Sequence, residues 1–166
     1  MILAFDTYYY NDKAKTVCIQ FEKWTAASPD KIYSEILEGI EDYIPGEFYK
    51  RELPCILSLL RQIDLNEIEA IVIDGYVYLD DEMKLGLGGY LYNALLRKVP
   101  VIGVAKSNFN TLHKLKIPVL RGNSNNPLFI TSIGIEVTTA AQNIRLMNGF
   151  FRMPTLLKTM DTLTKT

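Results

Sequence analysis

The sequence predicts an α/β fold, with helices packed on one mixed β-sheet. Two short strands with alternating apolar residues open the chain as a hairpin, which is typical of antiparallel pairing. Two later strands are apolar along almost their whole length, as expected of strands buried on both faces of a sheet. Segments with helical spacing lie between and after them. The 166 residues, 48% hydrophobic and 22% charged, suit a single globular domain spanning 1–166.

The opening hairpin consists of two predicted strands joined by a tyrosine-rich turn. Ile2 to Asp6 reads as a short buried strand that ends in an acid. Tyr8 to Asp12 is predicted to form the turn. Thr16 to Phe21 is rich in β-forming residues and alternates in polarity, so it is predicted to be the second strand.

The segment 32–40 is ambiguous from its residues alone. Ile32, Ile36 and Ile40 recur at helical spacing, yet the segment is short and contains Gly39 near its end. Pro45 follows soon afterwards, which leaves little room for a helix. Both a third strand and a short helix remain open at this point.

The remaining elements alternate between helix and strand. Pro54 is best tolerated in a first helical turn, so the helix ending near Ile63 is predicted to begin at 51–53. Thr138 can cap the last predicted helix, and Gly149 can end it. The predicted elements are helix Leu53–Ile63, strand Ile68–Asp74, helix Leu85–Arg97, strand Val101–Ala105, strand Leu128–Val137 and helix Thr139–Met147.

Composition and charge exclude several classes of protein. No stretch approaches the roughly 18 apolar residues of a membrane-spanning helix, so no membrane partner is expected. Asp6 comes too early for a signal peptide, so we expect a cytoplasmic protein, and we expect a monomer. Cys18 and Cys55 lie in apolar segments without zinc-ligand spacing and are predicted to be reduced core thiols.

The charges are unevenly distributed along the chain. Residues 1–96 hold 8 basic and 17 acidic residues, whereas residues 97–166 hold 10 basic and 2 acidic residues. An acidic half beside a basic half suits a metal-using enzyme that acts on a polyanion. Folding can equally interleave these charges into a mixed surface.

Two predicted strands each end in an aspartate, Asp6 and Asp74. If the strands are parallel neighbours, both carboxylates emerge at the carboxyl edge of the sheet, where sites form in α/β proteins. Paired carboxylates without a His/Cys cluster favour Mg²⁺ or Mn²⁺, the ions used in phosphodiester hydrolysis. Aspartates at strand ends also commonly cap turns. Glu52 shares a stripe with Ile56 and Leu59, so it is either a helix-terminal charge or a third ligand.

Several segments resemble the endonuclease V family. The segment Tyr43–Pro54 reads Y-I-P-G-E-F-Y-K-R-E-L-P and is similar to the family pattern Y-I-P-G-x-[FL]-x-x-R-E-x-P. Ile71–Gly75 resembles the family's V-D-G, and Pro100–Lys106 resembles its P-x-I-G-V-A-K. Arg152-Met153-Pro154 and Asp161 resemble the closing R-L-P and D. These blocks occur in order and span most of the chain.

The resemblance implies an RNase H-like fold with three antiparallel strands, which favours a strand at 32–40, then parallel strands, and helices on both faces. It implies a Mg²⁺- or Mn²⁺-dependent endonuclease that cuts near deoxyinosine in DNA or inosine in RNA. The implied metal ligands are Asp6, Glu52 and Asp74, with Lys106 and Asp161 as further catalytic residues. The implied substrate-binding residues are Tyr43, Ile44, Pro45 and Gly46 as a wedge, together with Gly75 and Lys106.

The chain departs from the family after Gly75. The family usually continues Q-G-x-x-H-P-R, whereas this chain reads Y-V-Y-L-D-D-E over residues 76–82. Asp80 and Asp81 here would weaken phosphate binding or enlarge the metal site. Two alternatives therefore stay open: a nucleic-acid-binding module with weak catalysis, and an RNase H-like nuclease for other distorted structures. His113 lies in a basic loop and is interpreted as a surface residue.

Overall fold

The computed structural model describes residues 1–40 and 47–166. Three strands open the chain, helices and strands then alternate as far as the fifth strand, two more strands follow, and two helices come last. The strands are β1 (Ile2–Tyr10), β2 (Lys13–Phe21), β3 (Lys31–Glu38), β4 (Ala70–Asp74), β5 (Val101–Ala105), β6 (Ile117–Val119) and β7 (Leu128–Ile133). The helices are α1 (Phe48–Leu60), α2 (Leu87–Ala94), α3 (Val137–Leu146) and α4 (Thr155–Thr164).

All seven strands form one mixed sheet in the order β3-β2-β1-β4-β5-β7-β6. β1, β2 and β3 form the predicted antiparallel meander, which confirms a third strand in the ambiguous segment. β4 pairs with β1 in parallel, and β5 pairs with β4 in parallel. β7 and β6 then extend the sheet in antiparallel orientation, a change of direction that the sequence did not indicate.

The helices cover the two faces of the sheet and bury a core on each. α1 and α2 pack on one face, over residues such as Leu3, Phe5 and Ile73. α3 and α4 pack on the other face, over residues such as Ala4 and Val72. Neighbouring residues of β1 and β4 therefore point into different cores, because side chains alternate along a strand. This explains why β1 is apolar at every position before Asp6, and β4 at every position before Asp74.

The opening hairpin is longer than predicted. β1 runs through Tyr10, so Tyr8 to Tyr10 are strand residues, and the turn consists of Asn11 and Asp12. Asn11 and Asp12 have φ values of 46° and 62°, the left-handed conformation that a tight two-residue hairpin requires. The prediction placed the turn too early because three consecutive tyrosines do not alternate in polarity.

Helix α1 begins five residues before Leu53, so Pro54 lies inside the helix instead of in its first turn. A proline there lacks the N–H that would bond to the carbonyl four residues earlier. The helix persists because its inward face buries Cys55, Ile56 and Leu59 almost completely. Tertiary burial thus outweighs the local cost of the proline.

Other boundaries also differ from the predictions. α2 ends at Ala94, before Leu96 and Arg97, whose φ values of 57° and 60° are not helical. β7 ends at Ile133, and α3 starts at Val137 without a side-chain cap, so Thr138 lies inside the helix. β6 and α4 were not predicted from residue patterns.

Two further sequence predictions can be compared with the structure. Cys18 and Cys55 are free and buried, which confirms them as reduced core thiols. Among the helices at 1–40 and 47–166, none has both the length and the apolar character needed to cross a membrane.

Candidate active site

Asp6 and Asp74 lie side by side at the carboxyl edge of the sheet. Asp74 is the last residue of β4, and the preceding Ile73 pairs in register with Phe5 of the parallel strand β1. Both carboxyl groups are half-buried. Thr7 donates its backbone N–H to Oδ1 of Asp6 over 2.9 Å. β1 continues past Asp6 to Tyr10, so the prediction that this strand ends at the acid is wrong. The two carboxyl groups nevertheless emerge side by side, because the parallel pairing of β1 with β4 ends at Phe5 and Ile73.

Glu52 reaches the same edge from helix α1. Its side chain is only 7% exposed because it shares the inward face of the helix with Ile56 and Leu59. The nearby charges of Asp74 and Asp6 both act on its carboxyl group. Three acids from distant parts of the sequence are thus brought into electrostatic contact.

Burial and mutual repulsion raise the pKa values of all three acids. Burial, followed by the charges of Asp74 and Asp161, raises the pKa of Asp6 to about 7. Burial and the charges of Asp74 and Asp6 raise the pKa of Glu52 well above its ordinary value. The pKa of Asp74 is also raised, mainly by burial. Ionising this cluster at neutral pH is costly unless a cation neutralises it.

Asp161 and Lys106 complete the acidic cavity, which we define as the space between Asp6, Asp74, Lys106 and Asp161. Lys106 directly follows β5 and is exposed, and its charge lowers the pKa of both strand-end aspartates. Asp161 comes from α4 and pairs with Lys165 at 3.1 Å. Burial alone would raise the pKa of Asp161, but Lys165, Lys106 and Lys158 hold it below its ordinary value.

The donor set of the acidic cavity suits a hard divalent cation. Its potential ligands are carboxylate oxygens, and no cysteine or histidine lines it in the described part of the chain. Within residues 1–40 and 47–166, no three acidic, cysteine or histidine side chains are arranged closely enough to enclose an ion by themselves. Mg²⁺ does not require such an enclosure, since one or two carboxylates with waters and phosphate oxygens commonly hold it. The residues present therefore fit this ion.

A second cavity of about 340 Å³ adjoins the acidic cavity, and Asp74 and Lys106 line both. We call it the aromatic cavity, because the rings of Tyr49, Tyr76 and Phe109 line it. Tyr76 and Phe109 have ring centroids 5.8 Å apart, and the Tyr76 hydroxyl donates to the Ser107 carbonyl over 2.6 Å. Its size and apolar walls are typical of small-ligand pockets.

Gly75 follows Asp74 and lines the aromatic cavity. Its φ of 128° lies in a region that favours glycine, so the chain can turn sharply after Asp74. Its carbonyl oxygen lies 2.5 Å from where a Cβ on Gly103 would stand, so β5 approaches this turn closely. The predicted binding residue Gly75 therefore shapes the site through its backbone.

Asp80 and Asp81 hold loops in place instead of joining the acidic cavity. Asp80 accepts the backbone N–H groups of Glu82 and Lys84, at 2.9 and 3.0 Å. Asp81 accepts those of His113 and Lys114, at 2.9 and 2.7 Å. Neither residue is among the described residues that line the two cavities. Their oxygens bond to nearby backbone, and their effect on phosphate or metal binding stays a prediction.

Two further sequence predictions concern the wedge and His113. Tyr43, Ile44, Pro45 and Gly46, the predicted wedge, lie outside the described residues. His113 is exposed, as interpreted from the sequence.

Tyr76, Phe109 and Met153 were not predicted as site residues. Tyr76 and Phe109 line the aromatic cavity, and Met153 lines the acidic cavity. The place of Tyr76 after Asp74-Gly75 was a usable signal. Phe109 stands in a loop without any periodic pattern, so the sequence offered no comparable signal for it.

A mixed sheet with this strand order and a cluster of acids at its carboxyl edge defines an RNase H-like protein. The predicted RNase H-like fold is therefore confirmed. The sequence model of the family Endonuclease V matches residues 1–149, and the chain belongs to the endonuclease V family. Arg152 and Asp161 lie beyond the matched residues.

Solved structures of endonuclease V share the fold across nearly the whole chain. The enzyme from Ciona intestinalis, in complex with a 24-nucleotide DNA containing an inosine, has a TM-score of 0.80 at 16% identity, covering 99% of this chain and 84% of its own. Endonuclease V from Streptomyces avermitilis has a TM-score of 0.73 at 22% identity, with coverages of 99% and 79%. Human ENDOV has a TM-score of 0.73 at 19% identity, with coverages of 99% and 82%. No curated protein matches the chain.

Proposed function

We propose that this protein is a Mg²⁺- or Mn²⁺-dependent endonuclease that cuts nucleic acid near a deaminated purine. Membership of the endonuclease V family supports nuclease activity. The similarly folded Ciona intestinalis enzyme was crystallised with inosine-containing DNA, which supports the choice of lesion. The single observation that carries the proposal is the juxtaposition of Asp6 and Asp74 on parallel strands, with Glu52 facing them.

In this proposal Asp6, Glu52 and Asp74 hold the metal ion. When bound, such an ion would supply the Lewis-acid chemistry of phosphodiester hydrolysis, and these three carboxylates would position it. Lys106 lies at the mouth of both cavities, where its charge attracts the scissile phosphate. Asp161, which is kept ionised by Lys165, adds a carboxylate that can orient water or a ligand.

The aromatic cavity is the proposed pocket for the deaminated base. A base that an enzyme recognises by its edge must leave the stack, and aromatic walls compensate for part of the lost stacking. Tyr76 and Phe109 supply such walls beside Asp74 and Lys106. The wedge Tyr43–Gly46 is proposed, from its sequence, to occupy the space that the base leaves.

The test is a nicking assay with labelled oligonucleotides that carry one deoxyinosine or one inosine, in Mg²⁺ or in Mn²⁺. Wild-type protein is expected to nick the modified strand and spare the matched adenosine strand. Asp74→Asn is expected to abolish nicking while keeping the fold, and the exposed Asp30→Asn is the matched control. Equal nicking by Asp74→Asn and wild type would overturn the assignment.

The same assay separates the two alternatives. Salt-dependent binding without cleavage in either metal would favour a binding module that has lost strong catalysis. Cleavage of flaps, mismatches or branched DNA in preference to inosine would favour a nuclease for other distortions. Single-domain organisation, a monomeric state and a cytoplasmic location remain predictions from the sequence.

A further inference from the structure

Two consecutive phenylalanines stand almost fully in solvent. Phe150 is 91% exposed and Phe151 is 78% exposed, and both lie in the aromatic loop, defined here as residues 148–152. Isolated apolar side chains are common on protein surfaces, but adjacent rings at this exposure form a patch that marks an interaction site. In the described part of the chain, nothing covers them.

Hydrogen bonds from one buried arginine hold the backbone of this loop. Arg121 is only 6% exposed, and its guanidinium donates to the carbonyls of Met147, Gly149 and Phe151 over 2.5, 3.3 and 2.7 Å. It also donates to the Arg152 carbonyl over 3.3 Å. Among the described residues, no carboxylate forms an ion pair with Arg121. Both terminal nitrogens of this buried guanidinium thus bond to the backbone that presents the two rings.

A glycine allows the segment after β6 to approach the aromatic loop closely. Gly122 has a φ of 61°, and a Cβ there would lie 2.3 Å from the Phe150 carbonyl oxygen. Arg152, next to Phe151, donates to the carbonyls of Lys106 and Pro127. The aromatic loop is therefore tied directly to the backbone of a residue that lines the acidic cavity.

The rings border a groove that meets the acidic cavity. The groove holds about 750 Å³ and is lined by both phenylalanines, Arg152, Met153 and Lys158. Met153 also lines the acidic cavity, so the groove and the acidic cavity lie on either side of this residue. Apolar rings beside cations are the pattern of a surface that stacks bases and attracts their phosphates. This charge complementarity favours a nucleic-acid strand over an apolar protein segment.

We propose that Phe150 and Phe151 form a stacking subsite for unpaired bases of the strand that leaves the acidic cavity, with Arg152 and Lys158 attracting its phosphates. The inference rests on the proposed nuclease function for the identity of the strand. Each phenylalanine can stack on a base of any sequence, because every base has a π-face. The subsite therefore adds affinity for the flanking strand without adding sequence preference.

The experiment measures binding and cleavage separately. Binding is measured by fluorescence anisotropy of labelled single-stranded DNA that contains one deoxyinosine. The strand is shortened stepwise from each end, and Ca²⁺ is used so that cleavage does not interfere. Wild type is expected to lose affinity at one defined shortening step. Phe150→Ala/Phe151→Ala is expected to raise the Kd of the long strand between about fivefold and about 100-fold and to show no such step. Phe150→Tyr/Phe151→Tyr should retain the step, and Ile32→Ala, on the opposite sheet edge and 52% exposed, should behave as wild type.

The outcomes distinguish this inference from the nuclease proposal. Unchanged affinity in the double alanine variant, with unchanged melting temperature, would overturn the subsite. Wild-type protein that shows no length-dependent step would overturn it equally. A third outcome is that the double alanine variant lacks the length-dependent step while wild type shows the step but does not nick inosine-containing strands. This outcome would support the subsite and overturn only the proposed cleavage. Binding of an apolar peptide in place of DNA would show that the patch serves a protein partner.

Discussion

Replacing Asp6 by asparagine should stabilise the metal-free protein at alkaline pH. The pKa of Asp6 is raised from 3.8 to about 7, so the folded state holds a proton that the unfolded state has lost between these values. The contribution of Asp6 to the free energy of unfolding is therefore fully present below about pH 4, and it is lost as the pH rises to about 7. Asparagine keeps the oxygen that accepts the Thr7 N–H and carries no charge.

The size of the effect follows from the pKa difference. At 1.36 kcal/mol per pKa unit, the change from 3.8 to about 7 corresponds to at most about 4 kcal/mol. The charge of Asp74 contributes to this shift and that of Asp6 acts on Glu52, so part of the effect belongs to the cluster, and we expect about 2–4 kcal/mol at pH 8. For a chain of this size this corresponds to a rise in Tm of about 4–16 °C.

The assay is urea and thermal unfolding of wild type and Asp6→Asn in EDTA at pH 4, 6 and 8. The difference in unfolding free energy between the two proteins should grow from pH 4 to pH 8. Added Mg²⁺ should stabilise wild type at pH 8 more than the variant, because the ion binds only the folded acids. Asp161→Asn is the control of opposite sign, since its pKa is lowered and its ionised form stabilises the fold. An Asp6→Asn variant less stable than wild type at pH 8 in EDTA would refute this reasoning.

Three further substitutions test other parts of the structure. Glu52→Gln imitates the protonated form of a buried acid, so the variant should lose nicking activity without a lower Tm in EDTA. Nicking at the wild-type rate would exclude Glu52 from the site. Gly103→Ala places a Cβ 2.5 Å from the Gly75 carbonyl oxygen and should cost about 1–3 kcal/mol in urea unfolding, whereas an unchanged midpoint would contradict the close approach. Arg121→Met leaves four carbonyls without their donor, so it should lower the free energy of unfolding by at least about 2 kcal/mol and speed amide exchange in residues 148–152. Unchanged exchange there would contradict the role of Arg121 in holding the aromatic loop.

The part of the site that lies on strands could be predicted from the sequence. Asp6 and Asp74 each follow an uninterrupted apolar run, and that pattern specifies a central strand that is buried on both faces up to the acid. It did not reveal that β1 continues beyond Asp6 to Tyr10. Glu52 was less certain because a helix start can place an acid either in solvent or inside. Only the burial of Ile56 and Leu59 on the same face decides this, and burial depends on tertiary packing.

Other elements escaped prediction for different physical reasons. β6 has three residues, too few to display a period of two. α4 did carry a signal, since Leu156, Leu157 and Met160 recur at helical spacing and are buried. The early start of α1 was missed because proline carries a strong local penalty, whereas the compensating burial is not local.

The acidic loop after Gly75, residues 76–82, helps to hold the walls of the aromatic cavity in place. Two loops line that cavity, and they contribute Leu79 and Phe109 respectively. Thr111 donates its hydroxyl to the Leu79 carbonyl over 2.6 Å, and Asp81 accepts two N–H groups from residues 113 and 114. These bonds lower the pKa of Asp81, so its charge is retained and is directed into the neighbouring loop. Through these bonds Asp81 and Thr111 join the two loops that wall the aromatic cavity, and the charge of Asp81 is kept away from Lys106, which lines both cavities.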